Sequence, residues 1–497
     1  MVKQYYLGLD QGTTGDTALI LNEDLELIAH GYREHKCYYP QPGYVEHDPV
    51  EVLHACKDAI AEAISKAGIE PSELACLGID HEGESVVLWD KETGQPVYNA
   101  LVWSDQRNVP YCESIMDKDP WFREKTGIMI DSYFSGTKIK WIIDNVDGVK
   151  EKLADGKILI GNLDAWLMWN FSGRQSMGTD HSTASRTLLY NMNEKKWDSE
   201  ILDFFGIPEE SLPVLGDSAL IRGETDPFCF FGVSIPMAGT STDQVAALFG
   251  QACVDVGGVK ATYGTSGVML MNTGNKMVRS DNGLLTTVAW ALNGDITYAL
   301  DGSFFTAGLT TQWLRDGLLL INSASETEAI ATSVPDNGGL YFVPAFSGLV
   351  CPHWNSGARG TIIGITGGST RAHLVRATLE STAYQFKDIF DAMQTDSGIT
   401  INTMKADGGA TKNGFLMQFQ ADLLNIPVEV PEIEEATALG AAYFALLGTG
   451  KYKDTGFIKE KWKLSRRYEP NMTQEKREEL MYNWHRAVKR SLDWIEG

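Results

Sequence analysis

No Cys-x-x-Cys pair occurs among the seven cysteines, which are scattered and odd in number (Cys37, Cys56, Cys76, Cys112, Cys229, Cys253 and Cys351). That pattern argues against a disulfide framework and fits reduced thiols. No apolar run approaches the roughly 18 residues of a membrane span, so membrane insertion is not expected. The first residues reach the carboxylate of Asp10 before an apolar core of signal-peptide length develops. A cytoplasmic location is therefore the expectation. Positive charge is also scarce: 42 Lys and Arg face 66 Asp and Glu, a net charge of -24. Such a balance argues against nucleic acid or an anionic membrane surface as partner. An anion bound here must be met locally, by backbone N–H groups and a metal ion.

What is present is ordinary globular material, 43% hydrophobic and 22% charged, and 497 residues are enough for two or more domains. The first 35 residues read as a β-meander, with runs at Tyr6–Asp10, Thr17–Asn22 and Leu25–His30. A helix starts at Asp48-Pro49-Val50-Glu51, with Asp48 as cap, Pro49 in the first turn and Glu51 placed for a capping-box-like arrangement. Leu74–Asp80 reads as a buried strand and Val86–Trp89 as another. Strands and helices alternate onward, which places the fold in the α/β class. The C-terminal stretch is an amphipathic helix carrying Leu480, Trp484, Val488 and Leu492 at i, i+4 spacing, a core-packing pattern.

Three glycine-bearing turns stand out. Gly12-Thr13-Thr14-Gly15 recurs half a chain later as Gly264-Thr265-Ser266-Gly267, each between two β-prone runs. This repetition points to two related domains, residues 1–250 and 251–497. Glycine lets backbone approach an anion closely, and threonine hydroxyls with successive N–H groups supply neutral donors. Asp10, at a strand end, is placed to hold Mg²⁺ directly or through water. A tight hairpin without a ligand fits the same residues. The third turn, Asp407-Gly408-Gly409, ends a strand and leads into a helix over Asn413–Leu424, a suitable nucleotide-binding element. Gly440-Ala441-Ala442 reads as close helix packing.

Further runs carry a resemblance: Leu9-Asp10-Gln11-Gly12-Thr13-Thr14, Ala100-Leu101-Val102-Trp103-Ser104-Asp105, Tyr133-Phe134-Ser135-Gly136-Thr137-Lys138, Gln312-Trp313-Leu314-Arg315-Asp316, and Gly360 to Ile365 followed by His373-Leu374 and Ala377 to Glu380. Over essentially its whole length the chain resembles the FGGY carbohydrate kinases, the glycerol kinases among them most. The resemblance implies two actin-like, ribonuclease-H-like α/β domains around a central cleft, and ATP-dependent phosphorylation of a small polyol or sugar, with Mg²⁺. It places ATP contacts at Thr13, Thr14, Thr265, Gly308, Gln312, Gly409 and Asn413, with the metal at Asp10. The polyol falls near Gly83, Glu84, Trp103, Tyr133, Asp243 and Gln244, and a homo-oligomer is expected. Asp243 is the expected base, since phosphoryl transfer to an alcohol needs an acceptor for the hydroxyl proton. Taken alone it reads first as a helix cap; the resemblance reverses that order.

The chain departs from the glycerol-kinase pattern near this site. His81-Glu82-Gly83-Glu84 stands where Asn-Gln-Arg-Glu is usual, and Gly15-Asp16-Thr17 where Ser-Ser-Arg is usual, so two arginines are missing. Val268 replaces an aromatic residue. Space left by Gly83 and Val268 leads to the expectation of a four- or five-carbon polyol or ketose as acceptor, with glycerol as the alternative. Glu82 and Glu84 also fit a solvated turn. Cys229-Phe230-Phe231-Gly232 lacks a phosphorylatable histidine, and Asp226–Pro236 lacks an arginine-bearing loop for a sugar bisphosphate, so neither control is expected. A nucleotide-binding pseudokinase and an actin-like ATPase switch remain as other readings.

Overall fold

The computed structural model describes residues 4–495. They form two compact units. The first contains the described residues up to Ala252, together with Thr287–Tyr298 and Glu435–Lys461. The second contains Cys253–Thr286, Ala299–Glu434 and the chain from Trp462 onward. The first unit is thus discontinuous, and takes two segments from beyond the expected cut at residue 250. Among the described residues no helix is long and apolar enough to cross a membrane.

In the first unit, β1 (Tyr5–Gln11), β2 (Gly15–Leu21) and β3 (Leu27–Glu34) form the meander read from the sequence. Parallel strands β4 (Leu74–His81) and β5 (Met237–Thr242) extend it, giving the order β5-β4-β1-β2-β3. Leu7, Leu9, Leu77 and Ile79 are fully buried, as expected for central parallel strands covered on both faces. One cover is helix α1 (Pro49–Ala67), whose Asp48 cap accepts from the N–H groups of Val50 and Glu51. No capping box forms, because the Glu51 carboxylate is taken by the Tyr38 hydroxyl at 2.9 Å. Helix α2 (Asp243–Gly250) follows β5 directly.

The other cover is helix α3 (Ala436–Gly448), which returns from late in the chain. It lies so close to the strands that a Cβ on Gly8 or Gly78 would fall on the carbonyl of Ala438 or Ala441. Gly440 faces the Ala246 carbonyl of α2 in the same way. Its role is therefore packing. Phe444 stacks on Phe249 with centroids 4.0 Å apart and planes at 14°.

In the second unit, strands Val259–Tyr263 and Gly267–Gly274 are joined by the second hairpin. Met404–Asp407 runs parallel beside Val259–Tyr263. Helices Arg371–Ser397, Gly414–Leu424 and Gln474–Ser491 pack around these strands. Leu480, Trp484 and Val488 lie in that core, as their spacing predicts.

Candidate active site

In the first unit the strand ends gather carboxylates. Register places Asp10 of β1 beside Asp80 of β4, and Asp80 beside Ser241 of β5, on one rung of three parallel strands. The Thr437 hydroxyl of α3 donates to Asp10 Oδ2 at 2.7 Å. Asp80 is fully buried, and apart from the neighbouring Asp10 carboxyl its oxygens meet no hydrogen-bond partner. Burial pushes both carboxyls above the usual range. Asp243, two residues past Ser241, opens α2. Its Oδ1 accepts from the Gln244 N–H at 2.6 Å and its Oδ2 from Gln244 Nε2 at 3.1 Å.

The first hairpin joins β1 to β2. The Thr13 hydroxyl is turned inward, donating to Glu82 Oε2 at 2.8 Å and accepting from Trp103 Nε1 at 2.8 Å. Thr14 is exposed. Behind the hairpin, His47 Nε2 lies 3.2 Å from Glu82 Oε1, and His35 Nδ1 lies 3.3 Å from Asp16 Oδ2. Burial opposes the His47 charge, but Glu82 and Cys37 outweigh it and hold the imidazolium up to about 11. Glu82 and Glu84 are both buried, which removes the solvated-turn reading.

Glu84 is partnered by Arg186, whose Nε donates to Oε1 at 2.6 Å. The guanidinium also lies over the rings of Tyr133 and Phe134, 5.6 and 5.5 Å from their centroids. The Trp103 and Tyr133 rings meet edge to face at 5.7 Å. Lys138 is buried below them and donates to the Tyr133 carbonyl. Burial brings its ammonium down to about 8. Glu84, Trp103 and Tyr133 are thus brought together. Asp243 is near enough to act electrostatically on Glu84, together with Arg186 and Lys138. The space at Gly83 is not free. A Cβ there would meet Thr242 Cγ2 at 2.9 Å and Arg186 Cγ at 3.8 Å. The His81 ring bonds to the neighbouring Glu82 carbonyl and to the Thr183 hydroxyl, 102 positions away.

Arg186 and Asp80 were missed by sequence reasoning. Arg186 follows a four-residue helix with no motif around it, and Asp80 read simply as the end of a buried strand. Lys138 stood within a quoted motif without a role.

In the second unit, the Gly308 N–H donates to the Gly264 carbonyl and the Leu309 N–H to that of Thr265, at 2.9 and 3.2 Å. Gly408, at φ 90°, passes so close to the Tyr263 backbone that a Cβ would lie 2.7 Å from its carbonyl oxygen. Thr265, Gly308 and the Gly408-Gly409 turn therefore converge on the second hairpin, with Gln312 ending the helix that Gly308 begins. Asn413 caps the helix Gly414–Leu424 instead of lying within it, accepting from the Leu416 N–H, and its amide donates to Thr327.

The chain has known relatives. Residues 5–250 match the N-terminal domain of the FGGY family of carbohydrate kinases, and residues 259–449 match its C-terminal domain. The chain belongs to the FGGY family of carbohydrate kinases. It is 51% identical to glycerol kinase 2 of Thermotoga maritima and 49% identical to glycerol kinase of Bacillus subtilis, over 99% of both chains in each case. A crystal structure of Plasmodium falciparum glycerol kinase with ADP matches with a TM-score of 0.91 at 35% identity, covering 98% of each chain. Xylulose kinase of Rhodospirillum rubrum, at 21% identity and a TM-score of 0.85 over 98% and 99%, shares the fold. This FGGY kinase has the family's two-domain actin-like fold, and it is an ATP-dependent phosphotransferase acting on a polyol or sugar.

Proposed function

We propose that this kinase transfers the terminal phosphoryl group of ATP to glycerol. The observation that carries the reading is the environment of Glu84, a buried carboxylate fixed by Arg186 beside Trp103 and Tyr133. Room for a larger acceptor was expected at Gly83, but Thr242 and Arg186 take that space. The identity to glycerol kinases over nearly the full chain supports the same acceptor.

Glu84 accepts hydrogen bonds from acceptor hydroxyls, the aromatic pair covers its CH groups, and Asp243 receives the proton of the reacting hydroxyl. Mg²⁺, when bound, neutralises phosphate charge. Asp10 would hold it, since it stands at the strand end beside the buried carboxylate of Asp80. In the first unit the backbone N–H groups of the hairpin suit phosphate oxygens, and in the second unit the Thr265 hairpin and the Gly408-Gly409 turn suit the nucleotide. The free thiols fit a reducing compartment that supplies ATP, the cytoplasm.

An ADP-release assay over glycerol, erythritol, threitol, ribitol, xylitol and the corresponding ketoses tests the reading. Glycerol should give the highest kcat/KM. A four- or five-carbon compound leading the panel would overturn glycerol, and no turnover of any acceptor would favour a nucleotide-binding pseudokinase.

A further inference from the structure

Asp80 is a buried acid that the reaction outlined above does not use. It sits on the central strand β4, with Asp10 on one flank and Ser241 on the other, all three in register on adjacent parallel strands. Its side chain is 0% exposed. Apart from the Asp10 carboxyl, neither Oδ1 nor Oδ2 finds a hydrogen-bond partner, and the Ser241 hydroxyl on the next strand is likewise buried without one. The Asp10 and Asp80 carboxylates lie within hydrogen-bonding reach of each other, yet both are acceptors when ionised. Thr437 serves only one oxygen of Asp10. Orphaned buried carboxylate oxygens are costly, and such groups are found paired or coordinating a metal. The donors are all oxygen, a set that suits a hard divalent cation such as Mg²⁺ or Mn²⁺.

We propose that Asp80 joins Asp10 as a ligand of a divalent cation, so that this chain holds the ion before nucleotide arrives. Among the described residues no three His, Cys, Asp or Glu side chains enclose a cation position. Two carboxylates are sufficient for Mg²⁺, which keeps several waters and takes its remaining ligands from phosphate. The proposal rests on the kinase reading for its purpose, but its test does not depend on turnover.

Mn²⁺ binding to the full chain, without nucleotide, is followed by electron paramagnetic resonance. One ion per chain is expected. Asp80→Asn and Asp80→Thr should each weaken it by at least the 10- to 100-fold typical of losing even an outer partner of a metal site. The melting temperature gives a second readout: Mn²⁺ should raise it for the parent and much less for Asp80→Asn, which keeps the shape of the side chain. The idea is overturned if the parent binds no Mn²⁺ without nucleotide, as a proton shared by Asp10 and Asp80 would give. Binding by Asp80→Asn as tight as the parent's would overturn it too. Kinase activity on glycerol, measured separately on the parent, reports on the acceptor reading alone.

Discussion

Asp243 and Glu84 show how much the surroundings of one carboxylate decide. In the proposed reaction Asp243, at the start of α2, is the group that receives the proton of the acceptor hydroxyl. Asp243→Asn removes the acceptor and keeps the shape. Turnover should fall by about 10²- to 10⁴-fold with ATP affinity nearly unchanged, as separate kinetic and equilibrium nucleotide measurements will show. Glu84 is buried with the Arg186 guanidinium 2.6 Å away. Arg186→Met would leave that charge unpaired, at a cost of about 3–5 kcal/mol. Chemical denaturation should show the loss, and the KM for glycerol should rise more than that for ATP. Arg186→Lys, which keeps the charge but not the planar fork, should recover stability better than it recovers KM.

At the scale of elements, the close seating of α3 on the sheet depends on glycine. Gly78→Ala puts a methyl on the carbonyl of Ala441, backbone against backbone, with no rotamer to relieve it. Overpacking of this kind costs about 1–3 kcal/mol or more, so a lowered melting temperature is expected. In the second unit a different device ties helices together. Asp388 of Arg371–Ser397 accepts from Trp484 Nε1 at 2.7 Å and faces His485 Nε2 at 2.9 Å and His353 Nε2 at 3.3 Å. Burial opposes the Asp388 charge, but the two histidines outweigh it and hold the carboxyl below its ordinary value. The hydrogen bond to Asp388 raises His485. The signs then run oppositely. The Asp388 contribution is present above about pH 3.9 and lost as pH falls through the depressed value. The His485 contribution is full below about pH 6.5 and lost as pH rises through the raised value. The melting temperature of the parent minus that of Asp388→Asn should therefore be largest between these limits and shrink on both sides.

For the whole molecule, the discontinuous first unit has a consequence. Residues 1–252 contain every strand of its main sheet but not α3, which covers that sheet and comes from Glu435–Lys461. Without it the glycine-lined face would be open to water, since the unit's core includes residues such as Phe444 and Leu446. A fragment of residues 1–252 should be aggregated or lack cooperative unfolding. Joining residues 435–461 to it through a flexible linker should restore a cooperative transition, as followed by circular dichroism.

The sequence by itself determined the local elements and the family. Period-2 runs with Gly-Thr turns specify the meander and both hairpins, because side-chain alternation and glycine backbone freedom act over a few residues. The C-terminal helix was equally legible, since Leu480, Trp484 and Val488 repeat at helical spacing. Candidate site residues within motifs, such as Trp103, Tyr133 and Asp243, were proposed through resemblance. Tertiary structure alone decided that Arg186 partners Glu84 from 102 positions away, that Thr242 closes the space at Gly83, and that Asp80 shares a rung with Asp10. It also placed α3 in the first unit. These pairings cross strands and distant segments, and no periodicity along the chain encodes which side chain meets another once the sheet is assembled.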